Sequence, residues 1–245
     1  MNLLAFDTST ERLSVAVQRA DGRCWQHQGP GGAQASAALI PAVQALLAQA
    51  GLALPALRAI VFGRGPGSFT GLRTACAVAQ GLAFGARART GGGPLPLLPV
   101  DSLLALAEQA RMDQAPHAAQ WQVLAMLDAR MDEIYAGRYQ WAQGGWNTVM
   151  SPVLARPQDL DAGHGEALAG NVFAHYGDRL PAFDSLPRIT ALPDARAMLR
   201  LAPDLLARGQ GVDPALALPV YIRDKVASTT AERAAAHAAA IKPST

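Results

Sequence analysis

Two stretches of this chain have the same shape. Residues 2–18, NLLAFDTSTERLSVAVQ, can be laid over residues 123–140, VLAMLDARMDEIYAGRYQ. In each, an apolar run ends at an aspartate, Asp7 or Asp128. Five residues follow, and a second apolar run begins at Leu13 or Ile134. Apolar runs separated by a short polar stretch read as strand, turn, strand. Meeting that unit twice restricts the fold more than any single element does, because an internal repeat implies a duplicated architecture. The 245 residues are enough for one large domain or two small ones.

The elements between the two copies follow a regular order. After RLSVAVQ, the turn RADGR leads to CWQHQ, a short third strand that completes a meander. Residues 34–50 carry Leu39, Val43, Leu46, Leu47 and Ala50 at helical spacing, with Pro41 either opening or bending that helix. A strand over 59–63, a helix from about 70 to 86, a strand over 97–100 and a helix from Asp101 come next, giving β-β-β-α-β-α-β-α. In the second half GWNTVMS supplies a third strand. From 156 to 219 proline and glycine interrupt every pattern, so short helices and loops are expected there.

A duplicated three-strand meander with crossover helices resembles the actin-like, ribonuclease-H-type (ASKHA) architecture. The expected class is α/β, with two subdomains built on mixed sheets. The expected division is 1–100 and 101–228. Thr229 and Glu232 resemble a capping box that opens an alanine-rich helix over 229–241, which would complete the first subdomain. In such a fold the first hairpin turns of the two halves face a cleft.

Composition removes several function classes. Charged residues make up 16% and apolar residues 50%, so the chain forms a core and is no polyelectrolyte. Nineteen of the 21 basic residues are Arg, scattered along the chain with no basic stripe to grip RNA directly. Cys76 sits within an apolar helical pattern and reads as a small buried hydrophobe. MNLLAFDTST lacks the basic start of a secretory signal, and no stretch of about 18 uninterrupted apolar residues spans a membrane. A soluble cytoplasmic protein is expected. His27, His117, His164, His175 and His237 form no helical ligand pair, and no metal site or complete catalytic constellation is visible.

The glycine-rich stretch GRGPGSFTGLR, residues 63–73, fits none of the familiar phosphate or nucleophile motifs. A P-loop needs Lys after its last glycine, and none follows here. A dinucleotide fingerprint needs glycine where Ser68 stands, and Arg87 and Arg89 occupy the region of its acidic residue. A nucleophile elbow around Ser68 would need glycine at Pro66 and Thr70. Two readings remain. Ser68 or Thr70 as N-cap would gather backbone N–H groups at a helix start that receives an anion. Alternatively the glycines serve a tight βα turn. The turn Asp7-Thr8-Ser9-Thr10 is open in the same way, between a phosphate- or metal-facing loop and an Asx-type turn. Asp7, Thr8, Ser9, Thr10, Gly65, Gly67, Ser68, Thr70 and Gly71 are therefore candidates for a pair of nucleotide- or anion-facing loops.

The following helix is apolar well beyond one face. In LRTACAVAQGLAFGA only Arg73, Thr74 and Gln80 are polar. One stripe is Leu72, Cys76, Ala79 and Ala83; another is Ala75, Val78, Leu82 and Gly85. One covers the sheet, and the other admits another helix, either from the 34–50 segment or from a partner.

Taken together, LLAFDTSTERLSVAV, AIVFGRGPGSFTGLRTACAVAQGLAFG, LPVDSLLALA, LDARMDEIYAGRY and PVYIRDKVA resemble the bacterial TsaB (YeaZ) proteins in order and spacing, from residue 1 to about 233. The resemblance implies a role in making threonylcarbamoyladenosine beside the anticodon of tRNAs that read codons starting with A. In that system TsaC makes the activated threonylcarbamoyl-adenylate, the paralogue TsaD transfers the group, and TsaE is an ATPase. The resemblance further implies a non-catalytic partner of TsaD that needs no cofactor of its own. Such a chain forms a homodimer in isolation, works alongside TsaE and meets tRNA only through the complex. The implied interface is drawn from the glycine loop and the helices, at Leu39, Val43, Leu46, Phe69, Leu72, Arg73, Cys76, Ala79 and Ala83. The catalytic relatives hold a metal with an H-x-x-x-H pair on the first long helix, where this chain has QASAALIP. The competing class is a self-sufficient actin-like ATPase or phosphotransferase, motivated by the two candidate loops.

Overall fold

The computed structural model describes residues 1–90, 95–161, 166–181 and 186–223. Strands β1 (Leu3–Asp7), β2 (Arg12–Gln18) and β3 (Cys24–Pro30) form the expected antiparallel meander. Then come α1 (Ala35–Ala50), β4 (Ala59–Gly65), α2 (Phe69–Thr90), β5 (Leu97–Asp101) and α3 (Ser102–Gln114). The second half contains β6 (Gln120–Arg130), β7 (Glu133–Ala142), β8 (Gly145–Ala155), β9 (Ala167–Gly170), α4 (Phe173–Tyr176), β10 (Arg188–Thr190) and α5 (Ala195–Ala207).

The two sheets repeat one plan. Their strand orders are β3-β2-β1-β4-β5 and β10-β9-β6-β7-β8, so each meander gains two parallel strands on the side of its first strand. Ala5 pairs with Ala16 on one side and Val61 on the other; Ala125 pairs with Gly137 and Ala169. This is the duplicated, mixed-sheet α/β fold of the actin-like class.

Alternation along the strands sets the layers. Leu4, Phe6, Val15, Ile60 and Phe62 share one core with Leu39, Val43 and Leu46 of α1 and Ala75 and Ala79 of α2. Their neighbours Leu3, Ala5, Ala59 and Val61 join a second core that also holds Leu103 and Leu106 of α3, Met198 of α5 and Val123 and Ala125 of β6. Helices α3 and α5 are thus sandwiched between the sheets. The outer face of the second sheet is closed by Tyr176 of α4 over Leu124, Met126 and Leu168.

Three features differ from expectation. Pro41 does not start α1, which runs through it from Ala35. The carbonyl that Pro41 leaves unpaired belongs to Ala37, and both residues are exposed, so the missing bond falls on the solvent side of the helix. The region 156–219 holds two parallel strands and the 13-residue α5 rather than only loops and short helices. Helix α5 packs on β1, β2, β4 and β5, so part of the expected 101–228 unit covers the first sheet. The expected helix over 229–241 lies outside the described residues.

Candidate functional site

Asp7 ends β1 and is fully buried. Its Oδ1 accepts hydrogen bonds from Ser9 N–H (2.8 Å) and Ser9 Oγ–H (2.6 Å), and its Oδ2 accepts one from Ser102 Oγ–H (3.0 Å). The turn is Asx-type, with the carboxylate standing in for a backbone carbonyl. Burial raises the Asp7 pKa, against the pull of the Ser9 and Ser102 hydrogen bonds and the charge of Arg12. Thr8, also buried, donates its hydroxyl to the Gly71 carbonyl at 2.7 Å.

The glycine loop lies back to back with this turn. A Cβ at Gly63 would overlap Asp7 Oδ2, one at Gly67 would overlap the Ser9 carbonyl, and one at Gly71 the Thr8 carbonyl. Gly65, at φ +114, would bring a Cβ within 2.7 Å of the Val220 carbonyl. Ser68 N–H donates to the Ser9 carbonyl at 2.7 Å, and Ser68 Oγ accepts from Gly71 N–H at 3.4 Å just ahead of α2. Close approach of two backbones accounts for these glycines. The Ser68 amide, one of the donors that an anion would need, is already engaged.

A cleft of about 410 Å³ opens between the halves. Ser9, Thr10, Glu11, Gly67 and Ser68 line one wall; Asp128, Arg130, Met131, Tyr135 and Asn171 line the other; Val220 to Arg223 run along it. Asp128 repeats the geometry of Asp7, its Oδ1 accepting from Arg130 N–H at 2.8 Å. The same oxygen accepts from Tyr176 Oη–H at 2.9 Å, and burial followed by this contact pushes the Tyr176 pKa up to about 12. Arg130, Met131 and Asp132 all hold left-handed φ values of 63, 55 and 60, a conformation that costs about 1–2 kcal/mol per residue. Cross-links offset that cost. Arg223 donates to the Ala129 carbonyl (3.1 Å), to the Arg130 carbonyl (3.2 Å) and to Glu133, and Arg179 holds Asp132 at 2.7 Å.

Of the candidate loop residues, Ser9, Thr10, Gly67 and Ser68 reach the cleft. Asp7, Thr8 and Gly71 sit behind it and hold the turn and loop together. Gly65 packs under Val220. Thr70 is exposed, its carbonyl bonded by Thr74 Oγ–H at 3.0 Å. Among the described residues no group of three or more His, Cys, Asp and Glu is placed to hold a metal ion.

The residues expected at an interface divide sharply. Leu39, Val43, Leu46, Leu72, Cys76, Ala79 and Ala83 are all buried inside the chain. A βα unit must cover its own sheet first, so the stripe closest to Leu4, Phe6, Ile60 and Phe62 becomes core. Only Phe69 and Arg73 lie at the surface. The Arg73 guanidinium stands 3.7 Å over the Phe69 ring, and Arg73 Nε–H donates to Tyr221 Oη at 3.1 Å.

The solvent side of α1 and α2 has its own character. Helix α1 contains no charged residue, and residues 32–50 are long and apolar enough to cross a membrane by length and composition. In the fold, Ala35, Leu39, Val43 and Leu46 spend that apolarity on the sheet, while Ile40 remains 42% exposed. On α2 the outward residues Ala77, Gly81, Phe84 and Gly85 are uncharged, with Phe84 45% exposed. A Cβ at Gly81 or Gly85 would meet nothing within 4 Å. Packing among the described residues does not require glycine at either position, although each weakens the helix by about 1 kcal/mol relative to Ala. The signal for this face was Gly81 and Gly85 in mid-helix, which the stripe of alanines obscured.

The sequence model of the TsaD family, described as tRNA N6-adenosine threonylcarbamoyltransferase, matches residues 30–243. The tRNA threonylcarbamoyladenosine biosynthesis protein TsaB of Escherichia coli K12 is 34% identical over 238 residues, covering 93% of this chain and 96% of that protein. The chain belongs to the TsaB (YeaZ) family. TsaB of Haemophilus influenzae is 31% identical over 241 residues, covering 92% and 95% of the two chains. The solved structure of YeaZ from Pseudomonas aeruginosa superimposes with a TM-score of 0.79 at 39% identity, over 90% of this chain and 99% of that one. The TsaB-family fold therefore extends over nearly the whole of this chain.

Proposed function

We propose that this chain acts in the threonylcarbamoylation of tRNA adenosine as the non-catalytic partner of TsaD, bound through the outer face of α1 and α2. The observation that carries this reading is the exposed face formed by Ile40 on α1 and by Ala77, Gly81, Phe84 and Gly85 on α2, where no described residue comes within 4 Å of a Cβ added at either glycine. Small residues on such a face let a second helix pair approach closely, and Ile40 and Phe84 supply the apolar anchors. In isolation the same face serves a homodimer. The partners are TsaD and TsaE, with tRNA met through the complex.

The burial of Asp7 supports a non-catalytic role. A phosphotransferase would need that carboxylate, or a metal held by it, at the phosphate. Here both oxygens are bonded within the protein and closed off by Gly63 and Ser102. The test is reconstitution of tRNA modification from TsaC, TsaD, TsaE and this chain, followed by its omission. Modification should fall to background without it, and the isolated chain should turn over no ATP. Equal modification in its absence overturns the proposal, and ATP turnover abolished by Asp7→Ala favours the phosphotransferase reading instead.

A further inference from the structure

A second cavity, of about 460 Å³, lies between α3, α5 and the β7–β8 hairpin, and it shares no lining residue with the interlobe cleft. Its aromatic wall is Trp141 and Trp146, packed edge to face with centroids 5.7 Å apart. That wall is held rigidly. Trp146 Nε1–H donates to buried Glu108 at 3.0 Å, Arg111 Nε–H donates to the same carboxylate at 3.0 Å, and the Arg111 guanidinium stands 4.0 Å over the Trp141 ring.

The charges in this cavity favour an anion. Four arginines line it against three carboxylates. Every carboxylate is already engaged: Asp101 by Arg64 Nε at 2.6 Å, Glu108 by Arg111 and Arg200, and Asp204 by Arg208 Nε at 2.9 Å. Arg64 donates through Nε, the contact between Arg208 and Asp204 is also through Nε, and among the described residues the Nη groups of Arg64 and Arg208 make no hydrogen bond. A guanidinium with its terminal nitrogens free is suited to bind phosphate oxygens two at a time. An apolar aromatic wall beside convergent polar groups, at a volume of several hundred Å³, is the usual form of a small-ligand site.

We infer that this cavity binds a planar aromatic ring carrying a phosphate, with the ring against Trp141 and the phosphate between Arg64 and Arg208. A nucleoside monophosphate has that chemistry, and AMP is the probe. The two indole N–H resonances of Trp141 and Trp146 report on the cavity, while that of Trp25 lies elsewhere on β3.

Titrating AMP into the full chain should shift the Trp141 and Trp146 signals and leave Trp25 in place. Adenosine and inorganic phosphate, each holding half of the chemistry, should need at least about tenfold higher concentration. Arg208 is half-exposed, so Arg208→Glu should fold normally and abolish the shifts. Arg64→Gln should weaken them, and Arg130→Glu in the interlobe cleft should leave them unchanged. The proposal fails if AMP shifts neither indole up to about 1 mM. It also fails if Arg208→Glu binds AMP as the parent does, if Arg130→Glu abolishes the effect, or if inorganic phosphate alone binds as well as AMP.

Discussion

The inner and outer stripes of α2 are built from similar residues in different surroundings. Of the inner stripe, Cys76, Ala79 and Ala83 lie in one core with Phe6, Phe62 and Leu39, while Leu72 is buried beside Gly65 at the interlobe cleft. The outer stripe, Ala77, Gly81, Phe84 and Gly85, faces away from that core. Small side chains inside are required by the spacing of helix and sheet, where added volume is not tolerated. Outside, no described residue lies within 4 Å of a Cβ added at Gly81 or Gly85, so the described fold sets no size limit at these two positions. Residue type alone does not distinguish a packing constraint from a docking face; the space around each residue does.

Substitutions should separate the two stripes. Ala79→Glu would put a carboxylate into the inner core with no partner, a loss on the order of 4 kcal/mol or more. Circular dichroism and thermal melting should show an unfolded or aggregated chain; a native-like melt would place Ala79 at a surface. Gly71→Ala forces a Cβ into the Thr8 carbonyl and should cost about 1–3 kcal/mol in a denaturant titration. Parent-like stability there would mean that the turn and the loop are not packed back to back.

Asp7 gives a test based on pH. Its pKa in the folded chain lies above the ordinary carboxylate value because of burial, so the folded state holds that proton more tightly than the unfolded state does. Stability from this group is greatest below the unfolded value and is lost as pH rises through the raised one. Asp7→Asn removes this titration. Its melting temperature relative to the parent should therefore climb as the pH rises above the ordinary carboxylate range. A relative melting temperature that falls instead would mean that the Ser9 and Ser102 hydrogen bonds outweigh burial. A smaller change is expected on the outer stripe: Gly81→Ala with Gly85→Ala should stabilise the isolated chain by up to about 1 kcal/mol per site, while crowding the partner surface.

Much of this arrangement could be read from the residues. Asp7, at the end of β1, and Asp128, two residues before the end of β6, mark the repeat because each accepts the same side-chain-to-backbone bond two residues on. Strands β1, β2, β4 and β5 follow from apolar runs of ordinary length, whereas the polar, largely exposed β3 follows from the turn RADGR that completes the meander. Strands β9 and β10 are only four and three residues long, too short to display a period. Helix α5 was hidden by Pro203, although Ala195, Met198, Leu199 and Ala202 share one face. The polar run Thr8-Ser9-Thr10 resembles a solvent-facing loop; it turns inward because Gly63, Gly67 and Gly71, some sixty residues later, leave it room. The second stripe expected from the sequence, Ala75, Val78, Leu82 and Gly85, is not the outer face: Ala75 is core and Val78 and Leu82 pack against it, because a helix lying on both a sheet and α1 buries more than one stripe.

The central claim is that the outer face of α1 and α2 carries the chain's function without supporting its fold. Phe84→Glu tests this most directly, because Phe84 is among the most exposed apolar residues on that face. The variant should melt within about 0.5 kcal/mol of the parent. Titrated calorimetrically into TsaD, it should bind at least about tenfold more weakly, as expected for the loss of an aromatic anchor from an interface. A folded Phe84→Glu chain that binds TsaD as tightly as the parent would contradict the account.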